Sequence, residues 1–126
     1  MTVTVMLVDD SKLARIVAGK TIAALHPEWE RLEAGNAEEA MQLVAARPID
    51  VAILDFNMPG KDGLVLAAEL RSAYPQMPIA IITANIQDEI VARARAINAT
   101  FVSKPVTEEG LGGFLSGAAL RLRQAK

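Results

Sequence analysis

VAILDFNMPGKDG, residues 51–63, decides the fold. Val51–Leu54 is apolar throughout, rich in branched side chains and too short for a helix, as a strand covered on both faces should be. Asp55 ends that run. Met58-Pro59-Gly60 then reads as a turn, because proline fixes one backbone angle and glycine accepts conformations other residues avoid. A helical pattern follows over Leu64–Tyr74, stopped before Pro75 and Pro78.

This strand–turn–helix unit recurs in both directions. Further strand-like runs lie at Val3–Val8, Ile79–Ile82 and Thr100–Ser103, and Glu30–Ala34 alternates charged and apolar residues as an edge strand does. Helical patterns lie at Lys12–Leu25, Ala37–Arg47, Ile86–Ile97 and Thr107–Arg123. Ser11 is placed to cap the first of these, with Leu13, Ile16, Val17 and Leu25 predicted on its apolar face. Asn36 and Glu39 stand at capping-box spacing before the second, which Pro48 ends. The last contains Gly110, Gly112, Gly113 and Gly117; an interior glycine costs a helix about 1 kcal/mol, so a late start or fraying is expected there. Five alternations predict an α/β fold with a parallel sheet, right-handed crossovers and helices on both faces.

Composition narrows the function. The 126 residues suit one domain, spanning 1–126, and 52% of them are apolar. There is no cysteine and only one histidine, His26, so neither a disulfide framework nor a thiolate or histidine-rich metal site is available. A net charge of -2 gives no electrostatic footprint for nucleic acid. No apolar run is long enough to span a membrane and no signal-peptide pattern opens the chain, so a cytoplasmic location is expected.

Ligands of open α/β sheets bind at the carboxyl ends of the strands. Four of the five predicted strands end in polar groups: Asp9-Asp10, Asp55, Thr83 and Lys104. Singly, each fits a turn, a helix cap or a surface charge. Together, three carboxylates brought to one edge repel by roughly 4 kcal/mol per pair at about 4 Å and an effective dielectric near 20. A hard divalent cation with oxygen ligands relieves that repulsion, and with an ammonium opposite, such a site suits a phosphoryl group in transfer. An Asp carboxylate can itself be the nucleophile.

On the residues VDDS (8–11), LDFNMPGKDG (54–63), ITA (82–84) and FVSKP (101–105), the whole chain resembles the response-regulator receiver family, especially its stand-alone chemotaxis type. The resemblance implies a flavodoxin-like doubly wound sheet of order 2-1-3-4-5 with five helices. It implies that Asp55 accepts a phosphoryl group from a histidine kinase, a phosphotransfer protein or a small phosphodonor. Mg²⁺ (or Mn²⁺) would be held by Asp10, Asp55 and the Asn57 backbone carbonyl, with Asp9 assisting through water. Lys104 pairs with Asp55 or the new phosphate, and Thr83 donates its hydroxyl to a phosphate oxygen. Phe101 is the aromatic whose burial follows the state, and Pro105 follows a cis peptide bond. The output is a contact with a downstream protein on the face of the fourth helix, fifth strand and fifth helix, without nucleic acid or membrane. The side chains two residues after Asp55 and after Thr83 are Asn57 and Asn85. As amides they orient water without taking its proton, which implies an intermediate phosphoryl lifetime.

Two departures from the family pattern stand out. Asn98-Ala99 replaces the usual Gly-Ala pair before the fifth strand, and Lys61 takes a usually apolar turn position, as a solvated charge or a recognition element. Two other functions fit parts of the sequence. A phosphohydrolase with an Asp nucleophile wants a second Asp two residues on, where this chain has Asn57, and wants a cap segment that is missing here. A non-phosphorylated interaction module of the same fold would not need every reactive position filled.

Overall fold

The computed structural model describes residues 3–84, 87–104 and 106–124, and the elements within them alternate strictly. The strands are β1 (Thr4–Val8), β2 (Glu30–Ala34), β3 (Val51–Asp55), β4 (Ile79–Thr83) and β5 (Thr100–Ser103). The helices are α1 (Lys12–Leu25), α2 (Ala37–Ala46), α3 (Gly63–Ala73), α4 (Asp88–Ala96) and α5 (Glu108–Gln124). All strand pairs are parallel and the order is β2-β1-β3-β4-β5. This is the doubly wound sheet expected from the sequence.

Side chains on a strand alternate between faces, and here both faces are buried. Val5 and Leu7 join Ile53, Ala80, Ile82 and Val102 in one core layer, under α1 and α5. Met6 and Val8 join Leu54, Ile79 and Ile81 in the other, under α2, α3 and α4. That double covering is why β1, β3 and β4 read as unbroken apolar runs. β2 lies at the edge, and its first four residues are not buried.

The helix signals hold in part. Ser11 accepts from the Ala14 amide at 3.2 Å, and Asn36 accepts from the Glu39 amide at 2.8 Å. The Glu39 carboxylate reaches back to the Gly35 amide at 2.8 Å, one residue before the cap, where a strict capping box would return to residue 36.

Two expectations are corrected. On α1 the buried residues are Ala18 and Ile22, with Leu25 packed beside them, whereas Leu13, Ile16 and Val17 are 70%, 40% and 47% exposed. The chain carries two apolar stripes, and the one with Ala18 and Ile22 faces the sheet, where a Cβ on Gly19 would lie at an ordinary contact distance of 3.8 Å from Leu7. Nor does α5 fray at its glycines. Thr107 caps it, its hydroxyl accepting from the Gly110 amide at 3.0 Å, and the helix continues through all four. Burial of Leu111, Phe114, Leu115 and Ala118 offsets the weak propensity. A Cβ on Gly112 would meet Leu25 of α1 at an ordinary contact distance of 3.6 Å.

Gly113 and Gly117 face solvent, with nothing within 4 Å of an added Cβ. Replacing either with alanine is therefore expected to stabilise the protein by about 0.5–1 kcal/mol, through lower chain entropy in the unfolded state. Urea denaturation midpoints of Gly113→Ala and Gly117→Ala check this; a midpoint at or below the parent's contradicts it.

Candidate functional site

Parallel pairing sets the carboxyl ends of β1, β3, β4 and β5 along one edge. Asp55 stands opposite Ile82, and Thr83 opposite Ser103. Asp9 and Asp10 follow β1 directly, and Lys104 follows β5. Carboxylate oxygens of Asp9, Asp10 and Asp55 all lie within 4.8 Å of one another. The three differ in setting: Asp10 is exposed, Asp9 half-buried, and Asp55 only 3% exposed.

Lys104 Nζ lies 2.9 Å from Asp55 Oδ1. The contact is an ion pair with the buried carboxylate oxygen. Burial pulls the Lys104 ammonium down. Contact with Asp55 and the charges of Asp55, Asp9 and Asp10 outweigh that pull, and its pKa lies above the ordinary lysine value. Asp9 is also raised, chiefly by burial and further by the charges of Asp55 and Asp10. The Ser11 amide, at 2.9 Å, and Lys104 only partly oppose the rise. One lysine thus faces three carboxylates. Hard oxygen donors, crowded together with more negative charge than one lysine offsets, fit a divalent cation of the Mg²⁺ kind.

The frame around these groups is specific. Arg15, on α1, donates to the Asp9 carbonyl at 2.5 Å and to Glu33 of β2 at 2.8 Å, fixing the β1 end. Gly60 has φ +78°, a left-handed turn conformation that suits glycine. Asp62 caps α3, accepting from the Val65 amide at 2.9 Å. Gly63 passes so close to Asp55 that a Cβ there would lie 2.3 Å from its carbonyl oxygen. Sequence reasoning left Asp62, Gly63 and Arg15 without roles. Asp62 was legible, since Asp-Gly before an apolar helix is a cap signal, but the close approach at Gly63 and the reach of Arg15 depend on tertiary geometry.

Thr83 is fully buried at the end of β4, and its carbonyl accepts from the Lys104 amide at 3.0 Å. Phe101 is half-buried and packs against the α2–α4 core layer. Asn57 is exposed in the turn after β3. Lys61 is neither purely solvated nor free: it forms an ion pair with Glu69 on α3. Asn98 has φ 55°, a left-handed position that asparagine tolerates better than most residues, so it can stand where the family commonly has glycine. The expectations placed on Asn85 and Pro105 lie outside the described residues.

A family model described as response regulator receiver domain matches residues 5–114. The chain is 36% identical over 118 residues to the positive alginate biosynthesis regulatory protein of Pseudomonas aeruginosa, covering 91% of this chain and 46% of that protein. It is 32% identical over 123 residues to the cyclic di-GMP phosphodiesterase response regulator RpfG of Xanthomonas campestris pv. campestris, covering 95% and 32%. The chain therefore spans less than half the length of these relatives. Among solved structures, chemotaxis protein CheY4 of Vibrio cholerae superposes with a TM-score of 0.83 at 28% identity, covering 94% of this chain and 99% of that one.

The Gly63 approach yields a direct expectation. Gly63→Ala drives a methyl group into the Asp55 backbone, which must shift, at a cost of about 1–3 kcal/mol. Chemical denaturation measures the loss. An unchanged midpoint would mean that the α3 start relaxes freely and does not hold Asp55 in place.

Proposed function

Because this chain belongs to the response regulator receiver family, we propose that Asp55 is the side chain on which it takes up a phosphoryl group. The protein is a receiver of two-component phosphorelay signalling, and its chemistry is confined to its own modification. The observation that carries the assignment is the buried Asp55 carboxylate, with Lys104 Nζ at 2.9 Å and two further carboxylates within 4.8 Å.

Asp9, Asp10 and Asp55 are the side chains that would hold Mg²⁺ (or Mn²⁺), with the Asn57 backbone carbonyl completing the protein ligands. The ion supplies charge neutralisation for the incoming phosphoryl group. Asp55 then forms a phosphorus–oxygen bond as the phosphorus–nitrogen bond of a phosphohistidine donor breaks. Lys104 stays beside the reacting oxygens as a fixed positive charge, and Thr83 donates its hydroxyl to the phosphate. Asn57, in the exposed turn after β3, would border the path of the hydrolytic water, orienting it without deprotonating it.

The donor is a sensor histidine kinase or phosphotransfer protein, and the exchange is assigned to the cytoplasm on family grounds. Exposed Leu13 and Val17 border the same groove as Asp9, Ser11 and Lys104, which offers such a donor apolar contact while it reaches the buried Asp55. The output is a protein contact on the α4–β5–α5 face, set by Thr83 moving toward the phosphate and Phe101 following. The length of the relatives leaves the wider regulator open, and the unit proposed here is the receiver.

Three experiments test these readings. Acetyl phosphate with Mg²⁺ should add one phosphoryl mass to the parent and none to Asp55→Asn. Mg²⁺ at ten times its Kd should stabilise the parent by about 1.4 kcal/mol, and Asp10→Asn should lose most of that gain. Full labelling of Asp55→Asn removes the acceptor assignment, and a melting midpoint indifferent to saturating Mg²⁺ removes the ion site. For the switch, hydrogen exchange with a beryllofluoride mimic should change protection along α4 and β5. A change confined to the neighbourhood of Asp55 would refute it.

A further inference from the structure

The opposite end of the strands carries a second concentration of charge, of the other sign. The carboxyl ends of α3, α4 and α5 meet there beside the starts of β4 and β5. A groove of about 550 Å³ between them is lined by Pro75, Gln76, Arg95, Asn98, Ala99 and Arg121. No acidic residue lines it.

Arg71 builds the groove. Its Nε donates to the Ile97 carbonyl at 2.8 Å and one terminal nitrogen to Asn98 O at 3.1 Å. The other terminal nitrogen donates to Pro75 O at 3.0 Å and Met77 O at 2.6 Å. One guanidinium therefore fastens the α3–β4 loop to the α4–β5 loop, the two walls that present Gln76 and Asn98. Its partners are carbonyl dipoles, so its charge is solvated but not neutralised. Burial lowers the Arg71 pKa, and the neighbouring Arg121 charge lowers it further.

Arg95 and Arg121 are exposed, and neither has an ion pair or side-chain hydrogen bond among the described residues. Their place in the last turns of α4 and α5 suits the helix dipoles. The dipoles do not account for their convergence on one polar groove. The adjoining groove, which Arg121 also lines, holds one acid, Asp50, whose carboxylate accepts from the Thr4 amide at 2.9 Å.

We propose that this groove binds a small phosphate-bearing ligand of at least two negative charges, held by the Arg95 and Arg121 guanidiniums and the side-chain amides of Gln76 and Asn98. Guanidinium forks match phosphate oxygens in pairs. Two guanidiniums in a lining without a carboxylate suit a polyanion better than a single carboxylate. The site is distinct from Asp55 and does not depend on phosphorylation.

The test uses ¹⁵N-labelled, unphosphorylated protein without added divalent cation, titrated with sodium pyrophosphate at low ionic strength. Saturable shifts of the Gln76, Asn98 and Ala99 amides are expected. They should weaken as salt is raised and require at least about tenfold more pyrophosphate in Arg95→Gln/Arg121→Gln, which loses charge-assisted hydrogen bonds. Both side chains are exposed and unbonded, and a thermal melt of the variant verifies its fold. Shifts confined to Asp9, Ala84 and Lys104 would place the anion at the acidic site and overturn the proposal. So would equal affinity in the folded variant, or saturation by a hexaglutamate peptide with none by pyrophosphate.

Discussion

A carboxylate buried at the end of the central strand is the constraint to which the rest of this molecule answers. Asp55 is 3% exposed, and removing an ion from water costs several kcal/mol even after relaxation. Lys104 supplies one opposing charge at 2.9 Å, yet Asp9 and Asp10 bring two more carboxylates into the same few ångströms. The arrangement persists because it is anchored from outside the cluster. Lys104 is tied through its amide to β4, and Asp9 through its carbonyl to Arg15 on α1. The fold carries this local electrostatic tension on the hydrophobic burial of two complete core layers. A cation-seeking pocket is thus maintained by apolar residues that never touch it.

The same division explains what the sequence made legible. Strand identity came from continuous apolar runs, because covering on both faces leaves little room for polar side chains. The site residues came from position, because strand ends in a parallel sheet share one edge. Helix faces were harder. α1 offers a large-residue stripe at Leu13, Ile16 and Val17 and a smaller one at Ala18 and Ile22, and hydrophobicity alone favours the first. Tertiary packing decides for the second, where Ile22 is fully buried against the sheet. The glycines of α5 misled for the converse reason: propensity is a local quantity, and burial of Leu111 and Leu115 overrides it.

Arg71 was invisible for a different reason again. Nothing in its neighbours marks an arginine that binds the carbonyls of Ile97 and Asn98, far along the chain. A charged residue on a predicted helix is ordinarily read as a solvated face. Long flexible side chains escape periodicity arguments because their heads lie well away from their Cα atoms. Lys61 illustrates the same limit, with its ammonium found on Glu69 rather than in solvent.

These anchors are unevenly distributed, and the unevenness bears on the switch. α4 buries only Ile90 and Ala94, and its N-cap residue Gln87 makes no side-chain capping bond. At the other end, Arg71 grips the Ile97 and Asn98 carbonyls just past the helix. The helix is therefore held firmly at the end far from Thr83 and lightly at the end near it. Elements that move in response to a ligand come from regions with few buried contacts. On the proposed reading, a displacement at Thr83 would then reach the lightly held near turns of α4, while β5, paired with β4 along Thr100–Ser103, would keep its register. The proposed phosphoryl uptake at Asp55 would in that case change the α4 surface without disturbing the sheet that positions the carboxylates.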